Sequence, residues 1–322
     1  MSIEYAIIIK NKTRLEMLVE RFNTKAQASF YIERSGGSYA DYELEHNTFH
    51  AALHTLQQQL SKVIKYKIVD RAFVPSFLFS DKHLIVVIGQ DGLVANTAKY
   101  ANGVPIVAVN PDKLRYDGIL LPFDTHNFIG AVEQVLTGNF SAKTVTFAEA
   151  RLKDGQRLLA FNDLFIGAAT HVSARYRITF NRQTEEHSSS GLIVSTPAGS
   201  TGWLSSVFNM AHGISNFASG KQKHQNKTRE HESDRLVPPK LSNDQLLFAI
   251  REPFKSVRTQ TNITAGIVTR QNKLLLESLM PVNGVIFSDG IESDFLSFNS
   301  GSIATIGIAN ETATLVTALP GK

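Results

Sequence analysis

The first 112 residues alternate short apolar runs with segments whose apolar residues recur at helical spacing, and this alternation limits the fold more than any other feature. Strands are predicted at Tyr5 to Ile9, Tyr66 to Val69, Leu84 to Ile88 and within "GVPIVAVNPD" at 103–112. Helices are predicted at Thr13 to Phe22 and Thr48 to Lys62, with a polar link around Ser35 to Tyr39. Such alternation is typical of a parallel sheet covered by helices. We therefore predict an α/β domain over residues 1–135.

The pattern changes near residue 140. "KTVTFAEARLKDGQRLLAFNDLFIG" has period-two runs around an Asp-Gly turn, which is typical of an antiparallel hairpin. Further strands are predicted at Tyr176 to Phe180, Leu192 to Ser195, Leu246 to Ile250, Gly266 to Thr269 and Val285 to Ser288. A helix from Asn127 to Asn139 is predicted to join the two halves. We expect a β-rich domain over residues 136–305.

Composition excludes several classes of protein. The chain is 43% hydrophobic and 19% charged, and no run approaches the roughly 18 apolar residues that span a bilayer. The apolar run at Tyr5 is too short for a signal peptide, so we expect a cytoplasmic protein with no membrane partner. The lack of cysteine excludes disulfides, thiolate metal sites and cysteine nucleophiles. A net charge of +4 without a nucleic-acid motif does not favour nucleic-acid binding.

A carboxylate lies between two glycines directly after the buried run "LIVVI". The turn reads Gly89, Gln90, Asp91 and Gly92, and a helix is expected to begin near Leu93. Ligands of open α/β sheets bind beyond the carboxyl ends of the strands, and phosphate is favoured at a helix N-terminus. The alternative is an ordinary strand-to-helix turn in which Asp91 is the N-cap.

Two polar stretches in the second half carry further candidate binding groups. Asn162 and Asp163 begin an apolar strand, and the pair could bind both hydroxyls of a ribose or form an Asx turn. "GLIVSTPAGSTGWLSS" is rich in hydroxyls, which suit phosphate or ribose but also occur in ordinary loops. The charged stretch 218–240 is interpreted as a surface loop, with a basic flap over a phosphate site as the alternative.

These stretches, in this order, resemble the motifs of the NAD kinase family. The family carries a Gly-Gly-Asp-Gly turn, an Asn-Glu or Asn-Asp pair and a Ser-Thr-Pro-Thr-Gly-Ser-Thr-Ala-Tyr loop, which here read "GQDG", "ND" and "STPAGSTGW". The chain resembles the mitochondrial-type members more closely, through "NKTRLE", "NPDKLRYDGILLP", "LLFAIREP" and "FSDGIESDFLSFNSGSIATIGI". The resemblance extends from about residue 10 to residue 310.

The resemblance implies a fold and an activity. The fold is a Rossmann-like α/β N-terminal domain, a β-rich NAD-binding domain and a C-terminal tail, 306–322, that returns to the first domain. The activity is Mg-dependent transfer of a phosphoryl group from ATP to the 2'-hydroxyl of the adenosine ribose of NAD, in a homodimer or larger homo-oligomer. The resemblance leaves open which residues hold the metal.

The resemblance also assigns roles to individual residues. Asp91 falls on the catalytic aspartate, in a phosphate-binding turn with Gly89, Gln90 and Gly92. The positions that fall on NAD-binding residues are Asn162, Asp163, Thr196, Ser200, Thr201, Trp203, Ser206 and Asp289. Trp203 replaces a tyrosine of the family and keeps an aromatic face for a base.

The sequence departs from the family at two positions of the phosphate turn. Gln90 replaces a glycine, and Leu93 replaces a residue that is usually threonine. If position 90 needs a positive φ, a side chain there costs about 1–2 kcal/mol. A weakly active or non-catalytic dinucleotide-binding protein, or a related sugar or lipid kinase, is therefore the alternative function.

Overall fold

The computed structural model describes residues 3–220 and 236–318. Within them the chain forms two compact units. Residues up to 144 and from 313 onward form the first unit, and residues 145–312 form the second. Most of the stretch 218–240, whose role was left open between a loop and a flap, lies outside the described residues.

The first unit contains a parallel sheet in the order β2-β1-β3-β4. Its strands are β1 Tyr5–Lys10, β2 Lys65–Asp70, β3 His83–Ile88 and β4 Pro105–Val109. Its helices are α1 Arg14–Phe22, α2 Lys25–Arg34, α3 Tyr39–Leu60, α4 Asp91–Ala98 and α5 Phe128–Leu136, with a short 3-10 helix at Arg71–Ser76. The β-branched central strands are buried, as expected for a sheet covered on both faces.

The second unit is built mainly from antiparallel strands, although residues 142–144 of the first strand and 313–316 of the last belong to the first unit. They are β5 Ala142–Leu152, β6 Arg157–Ala160, β7 Asp163–Ala168, β8 Ala174–Phe180, β9 Gln183–Ser189, β10 Leu192–Ser195, β11 Leu246–Ile250, β12 Ala265–Val268, β13 Leu274–Ser278, β14 Gly284–Ser288, β15 Ile291–Ser297 and β16 Ile303–Val316. One helix, α6 Trp203–Ala218, follows the hydroxyl-rich loop. The predicted fold class, an α/β domain and a β-rich domain, is confirmed.

Two sets of strands enclose the core of the second unit. Six strands pair in the order β12-β11-β10-β7-β14-β15, and all of these pairs are antiparallel. The other set contains β16, β13, β8 and β9, and β5 pairs with both β6 and β16. Alternate side chains of both sets point into one cluster of buried apolar residues, including Ile166, Phe248, Leu276 and Ile306.

The element boundaries differ from the sequence predictions in several places. Helix α3 begins at Tyr39, nine residues before the predicted start at Thr48. The prediction began too late because the buried apolar residues Phe49, Leu53, Leu56 and Leu60 lie in the later turns, whereas the first turns are mainly polar. Helix α2, capped by the Thr24 side chain, was not predicted. Strands β9, β13, β15 and β16 and helix α6 were also missed.

Candidate functional site

The GQDG turn connects β3 to α4 in the first unit. Gly89 has a φ of +155°, and a Cβ at this position would lie 3.0 Å from Leu93 Cδ2. Gln90 is the N-cap of α4, with a φ of −108° and a ψ of 164°. The expectation that Asp91 could be the N-cap is wrong, because Asp91 is the first residue of the helix.

The Asp91 carboxylate binds the chain segment that follows β4. Its Oδ1 accepts a hydrogen bond from Leu120 N at 2.7 Å, and its Oδ2 accepts one from Ile119 N at 3.3 Å. These bonds fix the orientation of a half-buried carboxylate beside the first amides of α4, which have no partner within a helix. An ionised carboxylate has about four acceptor positions, so capacity remains for a further donor.

The two departures from the family pattern have local explanations. Gln90 has an ordinary negative φ, so its side chain causes no backbone strain. The Gln90 amide hydrogen-bonds the Tyr116 phenol, whose pKa is nevertheless raised because the ring is partly buried. Leu93 is 6% exposed and packs against Gly89, so it supplies packing where a threonine would supply a hydroxyl.

In the second unit, the carboxylate of Asp289 accepts hydrogen bonds from the backbone of Asn162 and Asp163. Asp289 and Gly290, with φ values of 53° and 70°, form the two-residue turn between β14 and β15. Asp289 Oδ2 accepts a hydrogen bond from Phe161 N at 3.0 Å. Asp289 Oδ1 accepts from Asn162 N at 2.6 Å and from Asp163 N at 3.3 Å. Asp289 therefore positions the start of β7.

Asp163 is the most perturbed acid of this group. Its side chain is 9% exposed, and burial, followed by the nearby charge of Asp289, raises the pKa of its carboxyl to about 7. At neutral pH such a carboxyl exists in both forms, so it can donate as well as accept a hydrogen bond.

The hydroxyl-rich loop packs against the same segment. Thr196 Oγ1 donates to Phe161 O at 2.6 Å and accepts from Gly199 N at 3.2 Å. Thr196 N donates to Asn162 O at 2.9 Å. Ser200 Oγ donates to Pro197 O at 2.8 Å. The structure thus uses these two hydroxyls to fold the loop, while Thr201 and Ser206 are exposed.

Trp203 lines a cavity of about 610 Å³ within the second unit. Its ring stacks on Phe165, with centroids 5.7 Å apart and an interplanar angle of 8°. The Arg251 guanidinium lies 5.4 Å from the Trp203 ring centroid and 6.0 Å from that of Phe165. Phe287 and Phe295 also line the cavity. Flat rings beside a cation suit a planar, anionic ligand.

The sequence analysis identified Trp203 but missed Phe165, Arg251 and the other aromatic residues of the cavity. Phe165 lies in β7, three residues after Asn162, and Arg251 follows directly after β11. A cation after an apolar strand is a weak signal, because only the strand pairing brings Arg251 beside Trp203. Among the predicted residues, Asn162, Asp163, Thr196 and Asp289 contact one another through hydrogen bonds that involve their backbone.

The chain is similar to curated bacterial proteins named NAD kinase, while no family model matches it. It is 34% identical over 128 residues to the protein of Heliobacterium modesticaldum, a match covering 37% of this chain and 44% of the relative. It is 28% identical over 163 residues to that of Citrifermentans bemidjiense, covering 46% and 53%. The chain therefore spans about half the length of the curated relatives that it matches.

A solved structure shares the fold over nearly the whole chain. The crystal structure of yeast NADH kinase complexed with NADH matches with a TM-score of 0.59 and 13% identity, and the match covers 99% of this chain and 84% of the yeast chain. At this identity the match supports the fold. The chain is therefore similar to proteins named NAD kinase over about half of their length, and it shares the fold of a solved NADH kinase.

Proposed function

We propose that the chain transfers a phosphoryl group from ATP to the 2'-hydroxyl of the adenosine ribose of NAD and releases NADP. The observation that carries this proposal is the cavity of the second unit, where Trp203 and Phe165 are stacked beside Arg251. The aromatic faces suit a base or a nicotinamide ring, and the guanidinium suits a pyrophosphate. A dinucleotide supplies both chemistries in one ligand.

Asp91 is the group that accepts the proton of the reacting hydroxyl. Phosphoryl transfer passes through a loose transition state, so the protein mainly positions the reactants and stabilises charge. A carboxylate held in place by the Ile119 and Leu120 amides is a suitable base. The amides of Gly89, Gln90 and Gly92 are proposed to bind phosphate.

Asn162 and Asp163 are proposed to bind the ribose hydroxyls of NAD. Half-buried Asn162 offers an amide that donates and accepts, and Asp163 has a carboxyl with a pKa of about 7 that can do both. Thr196, Ser200 and Asp289 support this pair by folding the loop and the strand end around it. Thr201 and Ser206 stay predicted contacts to NAD.

Magnesium is proposed to bind together with the phosphates of the nucleotide. Mg²⁺ is usually bound by one or two carboxylates together with substrate phosphates and water. Because Asp91 is proposed as the base, the phosphates and water would supply most ligands of the ion, and in residues 3–220 and 236–318 no group of three carboxylate or histidine ligands gathers around Asp91. When bound, such an ion would neutralise phosphate charge, whereas the protein residues orient the hydroxyl and remove its proton.

The cellular setting and assembly form part of the same proposal. No helix among the described residues is long and apolar enough to cross a membrane. We propose a cytoplasmic protein on the grounds of its composition and short N-terminal apolar run, and a homo-oligomer because the resemblance to the mitochondrial-type kinases implies one.

The test is NADP formation by the purified chain with ATP and magnesium, with NAD and NADH compared as acceptors. We expect Asp91→Asn to lower turnover by at least about 1,000-fold while NAD affinity changes by less than about threefold, because the carboxylate acts on the reacting hydroxyl. Asp117→Asn, which removes a carboxylate from the same unit, is the control.

Two results would separate the alternatives. Turnover near the wild-type value in Asp91→Asn would exclude Asp91 as the base. Binding of NAD by calorimetry without any NADP formation by the wild type would favour a non-catalytic dinucleotide-binding protein. Phosphorylation of sugars or lipids in place of NAD would favour a related kinase.

A further inference from the structure

Glu16, His46 and His50 form a cluster of potential metal ligands in the first unit. Glu16 is in the first turn of α1, and the two histidines lie one turn apart on α3, where residues i and i+4 share a face. The centroids of the two imidazole rings are 4.3 Å apart. One ligand atom of each residue lies within 4.8 Å of those of the other two.

The Glu16 carboxylate is held in position by the start of its own helix. Its Oε2 accepts a hydrogen bond from Thr13 N at 2.7 Å, and its Oε1 lies 3.0 Å from His50 Nε2. Zinc bonds of about 2.0–2.1 Å in tetrahedral geometry place neighbouring ligand atoms about 3.3 Å apart. The Glu16 and His50 atoms are already near this spacing.

His46 has the outer contact that is typical of a ligating histidine. Its Nδ1 lies 2.9 Å from Thr13 Oγ1, and Thr13 is buried. Histidines that bind a metal usually donate their other ring N–H to an oxygen, which fixes the tautomer and the ring orientation. When Thr13 Oγ1 accepts from Nδ1, the lone pair of Nε2 is free to bind a cation.

The surroundings of the cluster leave room for one more ligand, and two of the three nearby lysines are paired with carboxylates. Glu16 and His46 line a cavity of about 330 Å³ together with Lys10, Lys12 and Lys25. Lys10 pairs with Asp70 at 2.7 Å and Lys12 pairs with Glu20 at 2.5 Å, so two of these lysines have a neutralising carboxylate.

We propose that Glu16, His46 and His50 bind a zinc-class divalent cation, with a fourth position open to this cavity. Two imidazoles and one carboxylate favour Zn²⁺ over Mg²⁺ or Ca²⁺, which prefer oxygen ligands only. Three protein ligands with one open position are common in zinc sites that keep a bound water or exchangeable ligand. The site is independent of the proposed kinase function and lies wholly within the first unit.

The cation links α1 to α3. Glu16 is 30 positions from His46 and 34 from His50, so the unfolded chain does not hold the carboxylate beside the two imidazoles. Binding to the folded state alone stabilises that state, and the gain increases with the zinc concentration. The site therefore predicts a zinc-dependent melting temperature.

The experiment titrates ZnCl₂ into tag-free, metal-stripped protein by calorimetry and repeats the titration with MgCl₂. We expect one zinc per chain and at least about 100-fold weaker binding of magnesium. His50→Gln and Glu16→Gln are each expected to weaken zinc binding at least about tenfold. Glutamine at position 16 can still accept the Thr13 amide, so the helix start is retained. His54→Gln, which removes an exposed histidine one turn further along α3, is the matched control.

Thermal melting provides the second measurement. Zinc should raise the melting temperature of the wild type and of His54→Gln but not of His50→Gln, and the circular dichroism of the metal-free variants should match the wild type. The absence of stoichiometric zinc binding would overturn the proposal. Equal loss of binding in His54→Gln and His50→Gln would also overturn it, because it would indicate non-specific binding to surface histidines.

Discussion

At the scale of single residues, the buried carboxyl of Asp163 is the group most sensitive to pH. Burial and the charge of Asp289 raise its pKa from an ordinary value of 3.8 to about 7. Between these values the folded state keeps the proton and the unfolded state releases it. Stability is therefore lost as the pH rises from about 4 to about 7, and the loss is complete above that range.

Replacing Asp163 by asparagine should remove this loss. Each pH unit in which only the folded state holds the proton costs about 1.4 kcal/mol. Between about pH 5 and about pH 8, the free energy of unfolding of Asp163→Asn should therefore rise by about 3 kcal/mol relative to the wild type. Urea denaturation at the two pH values measures this change.

The control for this prediction is Asp81→Asn, which removes an exposed carboxylate from the first unit. Its difference from the wild type should stay constant within about 0.5 kcal/mol over the same range. Parallel pH profiles for Asp163→Asn and the wild type would show that Asp163 is ionised in the folded protein throughout this range.

The sequence indicated candidate binding residues, but it did not indicate which residues they contact. The Asn162–Asp163 pair was found because two polar side chains precede an apolar strand. Its contact with Asp289, 126 residues further along the chain, depends on strand pairing and has no local signal. For Gln90, the sequence suggested a strained backbone that the structure does not show. Its negative φ, which a side chain tolerates without strain, is a property of the folded turn.

At the scale of elements, the missed strand β9 shows why pattern alone fails. Its sequence "QTEEHSS" is polar, yet Glu185, His187 and Ser189 point inward. Glu185 accepts hydrogen bonds from the backbone of Asn262 and Ile263 and from the Asn262 side chain, and Ser189 bonds Tyr176. These long-range partners satisfy groups that a sequence pattern assigns to solvent.

The hydroxyl-rich loop depends on a glycine that allows close backbone contact. A Cβ at Gly199 would lie 2.1 Å from Asn162 O, which is closer than any real contact. The missing side chain lets the loop lie directly against the backbone before β7, where Thr196 N also donates a hydrogen bond to Asn162 O. The sequence shows a glycine in a loop, and only the structure shows that it is required.

Gly199→Ala should therefore destabilise the protein by about 1–3 kcal/mol or more, the usual cost of overpacking. The matched control is Gly213→Ala in α6, where a Cβ would meet no atom within 4 Å. An exposed helical glycine replaced by alanine should raise stability by about 0.5–1 kcal/mol. Denaturant unfolding measures both variants, and equal effects of the two substitutions would contradict the steric argument.

At the scale of the whole molecule, alternating strands and helices predicted the class of the first unit, a parallel sheet with helices, because that alternation is local in the sequence. The strand order is not local, since β1 pairs with β3 although β2 lies between them in the sequence. A more distant pairing occurs in the last described segment, in which Thr314 and Leu315 pair with Pro105 and Ile106 of β4. This pairing joins residues more than 200 positions apart, so no local pattern indicates it.

The residues after 312 should stabilise the first unit. Ala313, Leu315 and Val316 are buried, and Val316 belongs to the same apolar cluster as Val86 and Val107. Val316→Ala should lower the free energy of unfolding by about 1–3 kcal/mol, because it removes buried methyl groups and leaves a small cavity. A chain that ends at residue 312 loses the entire segment and should be destabilised further.

Hydrogen exchange separates this effect from a general loss of folding. In Val316→Ala, the amides of β3 and β4 should exchange faster, whereas those of β7 and β10 in the second unit should keep their wild-type rates, because local opening follows local packing. If β4 keeps its protection in Val316→Ala and in the chain ending at 312, the C-terminal segment does not support the first unit.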